Sequence, residues 1–185
     1  VRNMLIEAGT WQQVREELLK TLAEFHAQTP LKPGLPREAL RAACKLPPLL
    51  FDAALEKLRT DEEVLLQGAL TALTNHRIVF TADQKEKIAG LMQRFNENPY
   101  SPPDAAEASA QIGTPLLEAL VATGELVQAS PQVVFSPQAY TEMSAWVKAH
   151  IEDRGSLTLA EFRDHFGTSR KYAAALLEHL DTAGV

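Results

Sequence analysis

Cysteine is nearly missing from this chain: Cys44 is the only one among 185 residues. A single cysteine forms no internal disulfide and builds no cysteine-based zinc site, so neither kind of staple holds this fold. That usage suits a reducing, cytoplasmic setting. Long apolar runs are missing too. No stretch reaches the roughly 18 apolar residues that a membrane-crossing helix needs, so no membrane partner is expected. Val1 to Gly9 has no charged start, apolar stretch or cleavage site of a secretory signal. An initiating Met is also lacking, and a piece of a longer protein is the expectation. Positive charge is in deficit: 18 Lys+Arg against 24 Asp+Glu leave a net −6. A protein coating nucleic acid with its whole surface would be basic, so any nucleic acid must meet a local patch.

Catalytic signatures are absent as well. The nine glycines are scattered, and no phosphate-cradling G-x-x-x-x-G-K-[ST] occurs. No G-x-S-x-G elbow occurs either. His150 with Glu152 and Asp153 is the nearest thing to a metal cluster. On a helix those spacings do not put all three on one face, so no metal is assigned. Cys44 reads as a small apolar filler. The chain is expected to be non-catalytic and to hold no cofactor.

What the chain does have is self-similarity. "RIVFTADQKEKIAGLM" from Arg77 parallels "QVVFSPQAYTEMSAWV" from Gln132, with Phe80 and Phe135 set 55 residues apart. Each reads as a short β-branched strand, a capping hydroxyl and a helix. Ser136 before Pro137 is an N-cap followed by proline at the first helical position. Thr81 with Gln84 fits a capping box. "PPLLFDAALEKL", "TPLLEALVATGELV" and "SRKYAAALLEHLDTAGV" repeat a second phrase. Gly124 and Gly184 stop its last two copies 60 residues apart.

Repeats of that length predict tandem small domains. The first unit, residues 1–80, has helices at Trp11–Gln28, Pro36–Cys44 and Pro48–Leu58. Its strands fall near Val64–Gln67 and Arg77–Phe80, with Asn75 in the turn, and residues 1–9 are candidates for the tail of a preceding unit. The second, 81–135, has helices at Ala82–Asn96, Asp104–Gln111 and Pro115–Ala122. Strands Glu125–Gln128 and Gln132–Phe135 follow, turning at Ser130-Pro131. The third, 136–185, has helices at Pro137–Arg154, Leu159–His165 and Ser169–Ala183, with no wing after them. Three helices and a β-hairpin make a winged helix-turn-helix. The fold class is therefore mainly α with small β-hairpins, as tandem winged helices in an elongated array. Net charges of 0, −4 and −2 along the three units make the middle one a spacer.

The last helix is the candidate site. Tyr172, Ala173, Leu176, Leu177, Leu180 and Ala183 form its apolar stripe. Lys171, Ala174, Glu178 and Asp181 face the other way, and Ser169 or Thr168 supplies the N-cap. Arg170 and Lys171 crowd a helix N-terminus that is already positive. That is unfavourable for the isolated fold and favourable where a phosphate docks. The same two residues also read as solvated charges paired to Glu161 or Asp164. Leu159, Phe162 and Phe166 read as core, and His165 as an edge-of-core residue.

"GSLTLAEFRDHFGTSRKYAAALLEHLDTAGV" resembles the last winged helix of the bacterial selenocysteine-specific translation elongation factors. Phrases like L-T-x-A-E-F-R-D, G-T-S-R-K-Y and L-L-E-x-L-D are characteristic there. "LAEFHAQTPLKPGLPREALR", Leu22 to Arg41, resembles an upstream winged helix of the same family. The resemblance implies a part of the family's C-terminal extension, whose last winged helix binds an mRNA hairpin beside a UGA codon. It implies Arg163, Ser169, Arg170, Lys171 and Tyr172 as RNA-binding residues, and the mRNA hairpin and the ribosome as partners. GTP and selenocysteinyl-tRNA would belong to an N-terminal part that has no counterpart here. Two other readings compete: a winged-helix DNA-binding regulator, and a protein-interaction module. One fold hosts all three functions.

Overall fold

The computed structural model describes residues 8–184. The chain divides into two compact units, 1–79 and 80–185. The expectation for residues 1–9 falls mostly on 1–7, outside the described residues; Gly9 already belongs to the first helix.

The first unit runs α1 (Ala8–Gln28), β1 (Leu35–Pro36), α2 (Arg37–Ala43), α3 (Pro48–Thr60), β2 (Val64–Gln67) and β3 (Leu70–Leu73). Val14, Leu18 and Leu22 recur at helical spacing along α1 and are buried against Leu40 of α2 and Phe51, Ala54, Leu55 and Leu58 of α3. Cys44 is buried in this cluster, its Sγ 3.5 Å from the Thr21 hydroxyl, and burial pushes the thiol above its ordinary pKa. The sheet is antiparallel in the order β1-β3-β2. Gly34 lets the strands close up, because a Cβ there would sit 2.8 Å from the Thr71 carbonyl oxygen.

The wing of this unit differs from the expectation. Its second strand is Leu70–Leu73, not Arg77–Phe80, and its turn is Gly68-Ala69, not a loop centred on Asn75. Gly68 has φ +58°, which the first central residue of a type II′ hairpin turn demands. The two-residue turn closes the ladder at once, pairing Gln67 with Leu70 and Val64 with Leu73. β1 takes the other edge of β3. Residues 77–80 are left as a connector, with Val79 exposed. β1 itself was not anticipated. Its two residues are too few for a periodic signal, and Pro36 reads as a helix start, which it also is.

The second unit runs α4 (Ala82–Glu97), α5 (Ala105–Ile112), α6 (Thr114–Ala122), β4 (Val127–Ser130), β5 (Val133–Phe135), α7 (Pro137–Arg154), α8 (Leu159–Phe166) and α9 (Arg170–Ala183). Local signals set these boundaries. Thr81 and Gln84 form both halves of a capping box, and Ser136 accepts from the Ala139 N–H with Pro137 at the first helical position. Gly124 and Gly184 take positive φ at helix ends. The β4–β5 turn falls at residues 131–132, after a bulge between Gln128 and Ser130.

This hairpin sits within the core of the helices that follow it. Ala129, Val133 and Phe135 are buried with Ala139, Met143 and Val147 of α7, Phe162 and Phe166 of α8, and Ala173, Leu176 and Leu180 of α9. Among the described residues no helix is long and apolar enough to cross a membrane.

Candidate nucleic-acid interface

The turn between α8 and α9 is fixed by backbone chemistry. Gly167 caps α8 in the left-handed region at φ +59°, and the Thr168 N–H returns to the Arg163 carbonyl oxygen at 3.1 Å. Ser169 is the N-cap of α9 by backbone, yet its hydroxyl takes no N–H of the first turn. Thr168, the other N-cap candidate, is buried and points away from the helix. Its hydroxyl donates to the Tyr100 carbonyl oxygen and lies 3.0 Å from the Ser101 hydroxyl.

Tyr100 and Ser101 belong to the segment 98–104, "NPYSPPD", which joins α4 to α5 and packs on this turn. The Tyr172 hydroxyl donates to the Pro102 carbonyl oxygen at 2.5 Å, and the Tyr172 ring meets the Phe135 edge at 6.0 Å. The Tyr100 ring lies 4.8 Å from Phe166, and its hydroxyl donates to Glu142 at 2.7 Å. Lys171 Nζ donates to Asp104 Oδ2 at 2.6 Å. Asp104 also caps α5, accepting from the Glu107 N–H at 2.9 Å. The Lys171 ammonium and that N–H hold the Asp104 carboxyl below its usual range, and the carboxylate in turn raises Lys171. Burial raises the Tyr172 phenol.

The five residues singled out by resemblance thus separate by engagement. Lys171 and Tyr172 are committed to the 98–104 segment, and Lys171 pairs with Asp104 rather than with Glu161 or Asp164. Arg163 lies on α8 with its guanidinium on Asp164, Nη2 to Oδ1 at 2.7 Å. Ser169 and Arg170 are exposed at the head of α9. Among the described residues neither side chain has a hydrogen-bond or ion-pair partner. Glu178 and Asp181 are exposed farther along the helix, Ala174 is half-buried, and Ala183 is exposed rather than in the stripe.

The 98–104 segment carried no signal of this role in the sequence. Of its residues only Asp104 was read from the sequence, as a helix start. Phe162 and Phe166 are core as expected. His165 is exposed, with its ring stacked on Trp146 at 4.3 Å. His150 lies on the same indole at 4.7 Å, and no cluster of three metal-ligating side chains occurs among the described residues.

Residues 19–73 match a family model described as "Elongation factor SelB, winged helix", the second of that protein. Residues 149–185 match the model for the third, under the same description. The chain carries winged helices of the SelB elongation-factor family. The 149–185 match spans the end of α7, all of α8 and α9, and the turn just described. The selenocysteine-specific elongation factor of Escherichia coli (strain K12) is 26% identical over 185 residues, which are 96% of this chain and 29% of that protein. The factor of Desulfomicrobium baculatum is 24% identical over 171 residues, 88% of this chain and 27% of that one. The chain therefore spans under a third of these SelB relatives. A crystal structure of bacterial selenocysteine-specific elongation factor EF-Sec matches across the whole chain and 29% of its own length. Its TM-score is 0.53 at 16% identity, a likeness of fold.

Proposed function

We propose that this chain is the mRNA-binding part of a selenocysteine-specific elongation factor. The head of α9 grips an mRNA hairpin and tethers the factor near a UGA codon in the cytoplasm. The observation that carries this is the pair Ser169 and Arg170, exposed at a helix N-terminus and without a side-chain partner among the described residues. A cation beside orphan N–H groups is costly without an anion and favourable with one. Arg163 is the next contact, exchanging Asp164 for a phosphate. Lys171 and Tyr172 act by holding α9 on the 98–104 segment.

Glu178 and Asp181 repel phosphates beyond the first turn, so the helix meets RNA end-on rather than along a groove. A-form RNA suits this, since proteins read its loops and bulges. The first unit and α4–α6 serve as spacer toward the ribosome. GTP hydrolysis and selenocysteinyl-tRNA binding fall to the rest of the longer protein. The test is binding of a bacterial selenocysteine-insertion hairpin against a scrambled hairpin at two salt concentrations. Specific binding that weakens with salt supports the reading. Equal or absent binding to both RNAs sinks it.

A further inference from the structure

We propose that His165, held flat on Trp146, is a stacking platform for an unpaired nucleobase of the bound RNA. This rests on the RNA-binding reading above and adds a contact to a base rather than to the backbone. The two rings lie 4.3 Å apart and within 16° of parallel. The indole also packs T-shaped with Phe162 at 5.9 Å and Phe166 at 5.3 Å, both buried. The imidazole also meets the Phe166 ring edge-on at 4.7 Å. His165 is nonetheless exposed, and its ring nitrogens have no hydrogen-bond partner among the described residues.

An ordinary surface histidine samples several rotamers and must be ordered when something docks on it. His165 is ordered in advance by its stack, so a base laid on its outer face does not bear that cost. Stacking on an aromatic face tolerates any base, and loops and bulges are where RNA offers unstacked ones. His150 meets the same indole at a tilt of 35°, and no group of three metal-ligating side chains occurs among the described residues. In sequence the platform falls between Arg163 and Arg170, beside the phosphate contacts proposed at the same turn.

The test uses the whole chain with Trp11→Phe, which leaves Trp146 as the reporter in the last winged helix. Two RNAs are titrated: the selenocysteine-insertion hairpin with 2-aminopurine in its loop, and a blunt duplex of the same stem. We expect His165→Ala to weaken hairpin binding about tenfold or more and to leave the duplex unchanged. His165→Phe, which keeps a ring on Trp146, should restore the hairpin affinity. Quenching of 2-aminopurine should follow the same order. Hairpin binding that depends on Arg170 but not on His165 overturns the platform alone. Equal losses on hairpin and duplex also overturn it. No hairpin binding by the unaltered chain overturns it together with the RNA reading.

Discussion

Lys171 Nζ and Asp104 Oδ2 lie 2.6 Å apart across 67 residues of sequence. The contact joins the first turn of α9 to the N-cap of α5. Asp104 is at once an ion-pair partner and a helix cap. It engages the lysine of the G-T-S-R-K-Y phrase with an internal carboxylate.

That pairing predicts how Lys171→Ala behaves. Lys171 is 39% exposed and Asp104 25% in their side chains, so solvent screens the pair. Such pairs contribute up to about 1 kcal/mol. Lys171→Ala should lower the thermal midpoint slightly, and less so at high salt. A double-mutant cycle with Asp104→Asn should give a coupling near that size. If Lys171→Ala instead leaves stability unchanged and abolishes hairpin binding, the lysine is an RNA contact.

Tyr172→Phe isolates one hydrogen bond. Its hydroxyl donates to the Pro102 carbonyl oxygen from a half-buried site. Losing it should cost about 1 kcal/mol and lower the midpoint by a few degrees, read by calorimetry. The ring and its contact with Phe135 remain. A midpoint equal to the unaltered chain would show that the bond contributes nothing in solution.

Arg170→Ala is the sharpest test of the interface. Arg170 is exposed and has no side-chain partner among the described residues, so its loss should not touch the fold. A charge-assisted phosphate contact is worth about 1–3 kcal/mol, and hairpin affinity should fall accordingly. The slope of binding against salt should fall by about one contact. Lys148→Ala, on the exposed side of α7, should change neither quantity. A large loss there would move the patch to another helix.

The sequence made the helices legible because caps, glycine stops and leucine spacing are local. Pro137–Arg154 appears with the expected ends, begun by Ser136-Pro137 and closed by Gly155 in the left-handed region. Val64–Gln67 was legible for the same reason. The partner strand was not, because 77–80 is β-branched and reads like the strand before Ser136. The pairing was decided by Gly68, whose positive φ closes the hairpin so that the second strand starts at Leu70 rather than Arg77. At the candidate site, Ser169 and Arg170 lie exposed at the helix start that the sequence implied. The engagement of Lys171, Thr168 and Tyr172 was invisible, since their partners lie 67 to 70 residues away. Periodicity carries no information at that distance.

The first unit should lose stability in acid through His26. This residue is buried at 7% exposure, with Nε2 accepting from the Leu73 N–H at 3.3 Å and Nδ1 without a partner. His76 stacks on it at 3.6 Å and holds the Lys32 carbonyl oxygen at 3.0 Å. Burial first, and the neighbouring His76 second, lower the His26 pKa from 6.5 to about 4. Between those values the unfolded chain binds a proton that the folded chain refuses. Stability is therefore fully present above about pH 6.5 and falls as the pH drops toward 4. At about 1.4 kcal/mol per unit, the contribution is on the order of 3 kcal/mol. Protonation would also remove the acceptor that anchors the end of β3 to α1. Urea unfolding of this unit at pH 7 and pH 4.5 should show the loss, and His26→Gln should flatten the pH dependence. A stability that stays level across that range would mean His26 remains accessible to protons in the folded state.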